Sequence, residues 1–241
     1  MGIPCNVDKW VNDYTSNYIS AFDQIRKHQP KAPVLISLEH HFDCNFDSLL
    51  ASASPVMSAK SLITKMVPKL GARDWSLAFH SYPPSLLHTT FSQNDWPKIT
   101  FGNVNLLIGW LMKNFPNTPS AWKVYLTENG INGISPYATQ DQQNTALCQA
   151  FKNIVNTPFV ENFVYHRLKD HPDETKAGLG LGLVDTNNQY KKGINKKHLF
   201  LLINCWQSSA ENVINHIQSR TFPNDFLGSI ITYCGSLCDC F

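Results

Sequence analysis

Four short apolar runs, each ending in a cluster of ionisable side chains, limit what this chain can fold into more than any other feature. They are Val34-Leu35-Ile36-Ser37-Leu38 before Glu39-His40-His41, Trp75-Ser76-Leu77-Ala78-Phe79 before His80-Ser81-Tyr82, Lys123-Val124-Tyr125-Leu126-Thr127 before Glu128-Asn129-Gly130, and Phe163-Val164-Tyr165 before His166-Arg167 and Asp170. Such runs are too short for helices and read as buried strands. Helical patterns lie between them. Trp10, Tyr14, Tyr18, Phe22 and Ile25 recur at helical spacing over about Trp10–His28, and Pro30 and Pro33 close that stretch. Further helices are expected over about Ala59–Lys69 with Gly71 as a stop, over Val104–Asn114 with Asn103 as its cap, and over Gln140–Val155. A polar loop is expected over Asp170–Lys176, and a last helix over about Leu199–Gln218. Alternating strands and helices imply an α/β chain with a parallel sheet and outer helices. In a barrel the carboxyl ends of all strands open onto one face, so these four distant clusters would share one cleft.

Composition removes several functions. The 241 residues are 43% hydrophobic and 16% charged, which suits a packed core and not a disordered chain. Twenty Lys and Arg stand against eighteen Asp and Glu with no long charge block, so nucleic acid is not an expected partner. No run reaches the roughly 18 apolar residues of a membrane span. The start, Met1-Gly2-Ile3-Pro4-Cys5-Asn6, is too short and polar for a signal peptide. Location is therefore left open, with secretion expected only if the N-terminus is incomplete. Of seven cysteines, Cys234, Cys238 and Cys240 crowd the tail without a CxxC pair, which argues against zinc. The run Gly178-Leu179-Gly180-Leu181-Gly182-Leu183 lacks the strand-glycine-helix context of a nucleotide site and reads as a close-packed loop. No cofactor is expected.

The chemistry gathers at the strand ends. Glycoside hydrolysis needs two carboxyl groups across the scissile bond. Glu128 is the candidate nucleophile, against the plainer reading of a loop glutamate paired with Arg167 or a lysine. Tyr82 would hold that carboxylate ionised by a hydrogen bond, and His80 would bind a sugar hydroxyl or orient Glu128. Glu39 is the other strand-end glutamate, either the acid or a partner for the neighbouring histidines. Glu39, His41, His80, Tyr82, His166 and Arg167 are the candidates for substrate contacts, with Arg167 paired to Glu128 or Asp170 as the structural alternative. His40, His41, His80 and His166 with Glu39 have the chemistry of a transition-metal set, but HxH and HExxH spacings are absent, so no metal is expected. Trp96, on the long loop Ser85–Lys98, would stack on a sugar ring or anchor its loop.

Several of these blocks resemble one family in its order: Ile36-Ser37-Leu38-Glu39-His40-His41-Phe42, Trp75 to Pro83, Pro97-Lys98-Ile99-Thr100-Phe101 with Asn103, Leu126-Thr127-Glu128-Asn129-Gly130, Tyr165-His166-Arg167 with Asp170-His171, and Leu179 to Leu183. They look like the glycosidase-like barrel family called domain of unknown function 5722, over about residues 10–190. The wider resemblance is to retaining glycosidases of the large acid/nucleophile barrel clan. That resemblance implies a partial (β/α)8 TIM barrel of about four parallel strands, the fifth to eighth, with Glu128 as the seventh-strand nucleophile and His80 and Tyr82 as the sixth-strand His-x-Tyr. It implies a carbohydrate substrate. The chain itself is expected to divide into a glycosidase-like partial barrel domain over residues 1–198 and a C-terminal helix and cysteine-containing tail over 199–241, beyond the reach of the resemblance.

One departure from the clan matters. The Asn-Glu pair that supplies its acid/base after the fourth strand has no counterpart here. The chain is therefore expected to be a fragment or truncated form, weak or inactive alone. Two unpaired sheet edges would favour self-association. The alternative is a non-catalytic carbohydrate-binding or structural remnant of the barrel; a metal-dependent hydrolase on the histidines is the third reading.

Overall fold

The computed structural model of the chain describes residues 7–44 and 57–191. Its elements are α1 (Val7–His28), β1 (Leu35–Glu39), α2 (Ala59–Met66, continued by a 3-10 turn over Val67–Lys69), β2 (Ser76–His80), α3 (Val104–Asn114), β3 (Val124–Asn129), α4 (Gln140–Val155), β4 (Val160–Tyr165) and the short α5 (Pro172–Lys176). The expected helix over Leu199–Gln218, the domain boundary at 198/199 and the cysteine tail lie outside the described residues.

The four strands form one parallel sheet in the order β1-β2-β3-β4, each paired with the next in sequence. Parallel neighbours need a crossover, and right-handed crossovers in an unreversed order send every helix to the same face. A doubly wound sheet reverses its order, whereas a (β/α) barrel does not. The chain is therefore a partial (β/α) barrel of four consecutive units.

Strand alternation explains the core. Ile36 and Leu38, Leu77 and Phe79, and Val124 and Leu126 are all buried and pack with Phe22 of α1, Ile63 and Met66 of α2, Leu107 and Leu111 of α3, and Ile154 of α4. Burying each such side chain stabilises the fold by about 1.5–3 kcal/mol. The intervening residues point to the opposite face, where Ser37 and Glu39 are exposed and Tyr125 and Thr127 are half-buried.

Helix α1 engages backbone groups on and just ahead of β1. Tyr18 donates its hydroxyl to the Val34 carbonyl at 2.9 Å, and the Tyr14 phenol is hydrogen-bonded to the Ser37 backbone.

Two local expectations need correction. Residues 170–176, read as a polar loop, contain α5, which has Pro172 in its first turn, Asp173 and Glu174 following, and the His171 side chain accepting from Asp173 N–H at 3.3 Å. Its start signals are good, but it has no apolar periodicity to reveal it. Asn103 stands at the N-cap position of α3 as expected, but its side chain gives the helix no cap bond. Its buried amide instead ties its own loop, accepting from Thr100 N–H at 2.7 Å and donating to the Lys98 carbonyl at 3.0 Å. Helix α4 does carry a capping box, formed by Thr139 and Gln142.

The glycine run closes the described chain against the β4 end. Asp170 Oδ1 accepts from Gly182 N–H at 2.6 Å, and Lys191 pairs with Asp170 at 2.9 Å with both side chains no more than 2% exposed. A Cβ on Gly182 would lie 2.3 Å from Asp170 N, so this approach needs glycine. Asp170→Ala strands a buried ammonium and should destabilise the fold by about 3–5 kcal/mol. Tyr18→Phe, which loses only the bond to Val34, should cost about 1 kcal/mol. Urea denaturation midpoints of the two variants beside wild type check both values.

Candidate active site at the strand ends

Strand register decides which side chains meet. Glu39 stands directly opposite His80 across β1 and β2. Between β3 and β4, Leu126 pairs with Phe163 but Asn129 pairs with Tyr165, so β3 carries one extra residue. Strict alternation would send Glu128 to the same side as the core residue Leu126. The extra residue re-aims it, as bulges at strand ends do. Asn129 goes inward in its place. Fully buried, it accepts from Ser81 N–H at 3.0 Å and donates to the Val164 carbonyl at 3.1 Å, joining the ends of β2, β3 and β4.

Four of the expected site residues come together here. The Tyr82 hydroxyl donates to Glu128 Oε1 at 2.8 Å. His80 Nδ1 lies 2.8 Å from Glu39 Oε1 and 4.0 Å from Glu128 Oε2. Its other nitrogen, Nε2, is 3.5 Å from Ser37 Oγ. Beside them, buried His40 has Nδ1 3.8 Å from Glu39 Oε2 and its ring 4.1 Å from that of His41. The Glu128 side chain is 43% exposed, while Tyr82 is buried.

Charge follows geometry. The imidazoles of His40 and His80 hold the Glu39 carboxyl well below its usual range, at about 2. The bond to Glu39 pushes His80 up, with Glu128 adding to the effect. Burial and the neighbouring Glu128 push the Tyr82 phenol up, so it stays a donor. Burial and the charge of His40 push His41 down to about 4, so it is a neutral imidazole near pH 7. A general acid working near neutrality needs a raised carboxyl. Glu39 is displaced the opposite way by its imidazole neighbours.

His166 and Arg167 stand at the mouth of β4 but do not bond to Glu128. His166 N–H donates to the Asn129 carbonyl at 2.6 Å. Arg167 Nε donates to His166 Nε2 at 3.0 Å. The Arg167 guanidinium is paired with Glu174 of α5 at 2.8 Å, and not with Glu128 or Asp170, the two partners expected from sequence. Asp170 is instead taken by Lys191. The Arg167 charge still reaches Tyr82, where it opposes the upward push on the phenol. Trp96 is 44% exposed and packs edge-on against Phe42 with ring centres 5.8 Å apart. Among the described residues, no group of three or more His, Cys, Asp or Glu side chains is placed to hold a metal ion, and no helix is long and apolar enough to cross a membrane.

Sequence reasoning passed over Ser37 and Glu174. Alternation along β1 puts Ser37 on the face of Glu39, so Ser37 was within reach of a strand argument. Glu174 carries no such local signal, since only the turn into α5 brings it back to Arg167.

A family model described as "Family of unknown function (DUF5722)" matches residues 1–219. No curated protein matches the chain. Similar solved structures include Bacteroides uniformis β-glucuronidase 2 covalently bound to cyclophellitol-6-carboxylate aziridine, at 11% identity and a TM-score of 0.45, covering 75% of this chain and 19% of that one. Another is Bacteroides uniformis β-glucuronidase, at 10% identity and a TM-score of 0.47, covering 83% and 20%. A third is the GH2 β-galacturonidase of Eisenbergiella tayi bound to galacturonate, at 14% identity and a TM-score of 0.46, covering 80% and 30%. The chain thus spans between 19% and 30% of the length of these structures.

The Glu39–His80 pair makes stability depend on pH. Glu39 is lowered, so its contribution is complete above the ordinary 4.5 and is lost as pH falls toward about 2. His80 is raised, so its contribution is complete below the ordinary 6.5 and is lost as pH rises through its higher folded value. His41 works in the opposite sense, losing its contribution as pH falls from 6.5 to about 4. The stability difference between wild type and His80→Phe should therefore be largest between pH 4.5 and 6.5 and shrink on either side. Urea midpoints of both proteins across pH check this, and the subtraction removes the His41 contribution.

Proposed function

The chain belongs to the family of unknown function DUF5722, and we propose that its strand-end site is that of a glycosidase-like hydrolase acting on O-glycosidic bonds, with Glu128 as nucleophile. The observation that carries this reading is the 2.8 Å bond from Tyr82 to Glu128 Oε1. A phenol that stays protonated fixes one carboxylate oxygen and leaves Oε2 as the attacking atom. His80, 4.0 Å from Oε2, sets an ionisable imidazole beside that oxygen.

In the retaining route, Oε2 attacks the anomeric carbon, the glycosidic C–O bond breaks, and the leaving alkoxide takes a proton from a second acid. Water then cleaves the glycosyl ester and restores Glu128. Neutral His41, with one ring donor and one acceptor, is suited to a sugar hydroxyl, and His166 and Arg167 supply further polar contacts at the β4 mouth. Glu39, held ionised by its imidazole neighbours, is not assigned the role of proton donor.

That same ionised Glu39 favours a second reading, a non-catalytic carbohydrate-binding remnant of the barrel. Covalent trapping separates the two. A panel of activated 2-deoxy-2-fluoro glycosides should leave a glycosyl ester that peptide mass spectrometry places on Glu128. Glu128→Gln should abolish labelling, and Tyr82→Phe should slow it by about tenfold or more, the worth of a hydrogen bond to a charged group. A label on another residue, or one that survives Glu128→Gln, would overturn the nucleophile. Sugar binding with no adduct in any member of the panel would support the remnant.

A further inference from the structure

We propose that Glu39 is a positioning residue for Glu128: by holding the His80 proton, it keeps that proton off Oε2, the oxygen that attacks. This deepens the nucleophile reading and rests on it. His80 Nδ1 carries one proton at most, and two carboxylates on different strands lie within its reach, Glu39 at 2.8 Å and Glu128 at 4.0 Å. The shorter distance gives the hydrogen bond to Glu39. Strand register fixes that choice, since Glu39 and His80 are direct partners across β1 and β2.

The second ring nitrogen is drawn to the same strand. His80 Nε2 lies 3.5 Å from Ser37 Oγ, so both nitrogens face β1 residues and the ring is turned along that strand. The groups facing His80 are thus Ser37 and Glu39 from β1 and Glu128 from β3. Glu39 itself has buried His40 Nδ1 3.8 Å from its other oxygen.

The chemical consequence concerns basicity. Tyr82 already donates to Oε1 of Glu128. A second, charge-assisted donor on Oε2 would draw electron density from the attacking atom. With Glu39 in place, the Nδ1 proton of His80 is engaged on β1 and Oε2 keeps its electron density. Glu39 would thus tune Glu128 through His80 without touching substrate.

Nuclear magnetic resonance titration of the His80 ring, assigned by its loss in His80→Phe, tests this without requiring turnover. Four proteins are compared: wild type, Glu39→Gln, Glu128→Gln and the double variant. Glu39→Gln should lower the His80 midpoint by about one pH unit or more, the effect of removing a close opposite charge. Glu128→Gln should lower it by less than half as much in wild type. In the Glu39→Gln background the same change should have at least twice its wild-type effect, because the proton has passed to Glu128. Equal effects of Glu128→Gln in the two backgrounds, or a larger wild-type effect from Glu128→Gln than from Glu39→Gln, would overturn the proposal.

Trapping by the fluoro glycosides gives the second readout. Glu39→Gln should slow adduct formation by about tenfold at saturating reagent while leaving the half-saturating concentration unchanged, and Glu39→Asp should restore part of the rate. Adduct formation at the wild-type rate in Glu39→Gln would also overturn it. Failure of wild type to form any adduct would instead sink the nucleophile reading, and the titration would still decide whether Glu39 holds the proton.

Discussion

One extra residue in β3 governs the whole strand-end arrangement. Without the register shift between Leu126 and Asn129, Glu128 would fall on the side of the sheet that packs against helices, where an ionised carboxylate is costly. With it, Asn129 takes the inward position and satisfies its amide on Ser81 and Val164. The exposed carboxylate and the buried amide are two outcomes of one backbone irregularity. Tyr82 and His80 reach Glu128 because β2 runs beside β3 and their side chains stand on the face to which the bulge turns it.

Much of the fold was legible because it obeys simple periodicities. Helices α3 and α4 fall on the expected bounds, Val104–Asn114 and Gln140–Val155, where apolar spacing and flanking turn residues agree. The strands were visible as apolar runs, but β4 begins at Val160, earlier than expected, because Val160, Glu161 and Asn162 lack the continuous apolar character of a buried strand. Helix α5 was hidden by its polarity. The site was legible to the extent that strand ends converge in a parallel sheet. What could not be read was pairing: Arg167 has several acidic neighbours in sequence, and only tertiary geometry selects Glu174.

Electrostatics sets the two glutamates in different surroundings. Both lie at strand ends and both are partly exposed, yet Glu39 sits among imidazoles while Glu128 sits on a phenol. An imidazolium and a carboxylate fix each other's charge over a wide pH range. A phenol donates a hydrogen bond without adding positive charge. Identical side chains thus acquire different chemistry from their neighbours, and sequence position alone would not separate them.

Helix α1 gives the sheet a direction. The Tyr18 hydroxyl holds the Val34 carbonyl, and its ring is buried in the core with Phe22. One side chain therefore does two things, packing α1 into the core and fixing the residue from which β1 sets out, so the strand's starting point and the helix's seat are set together.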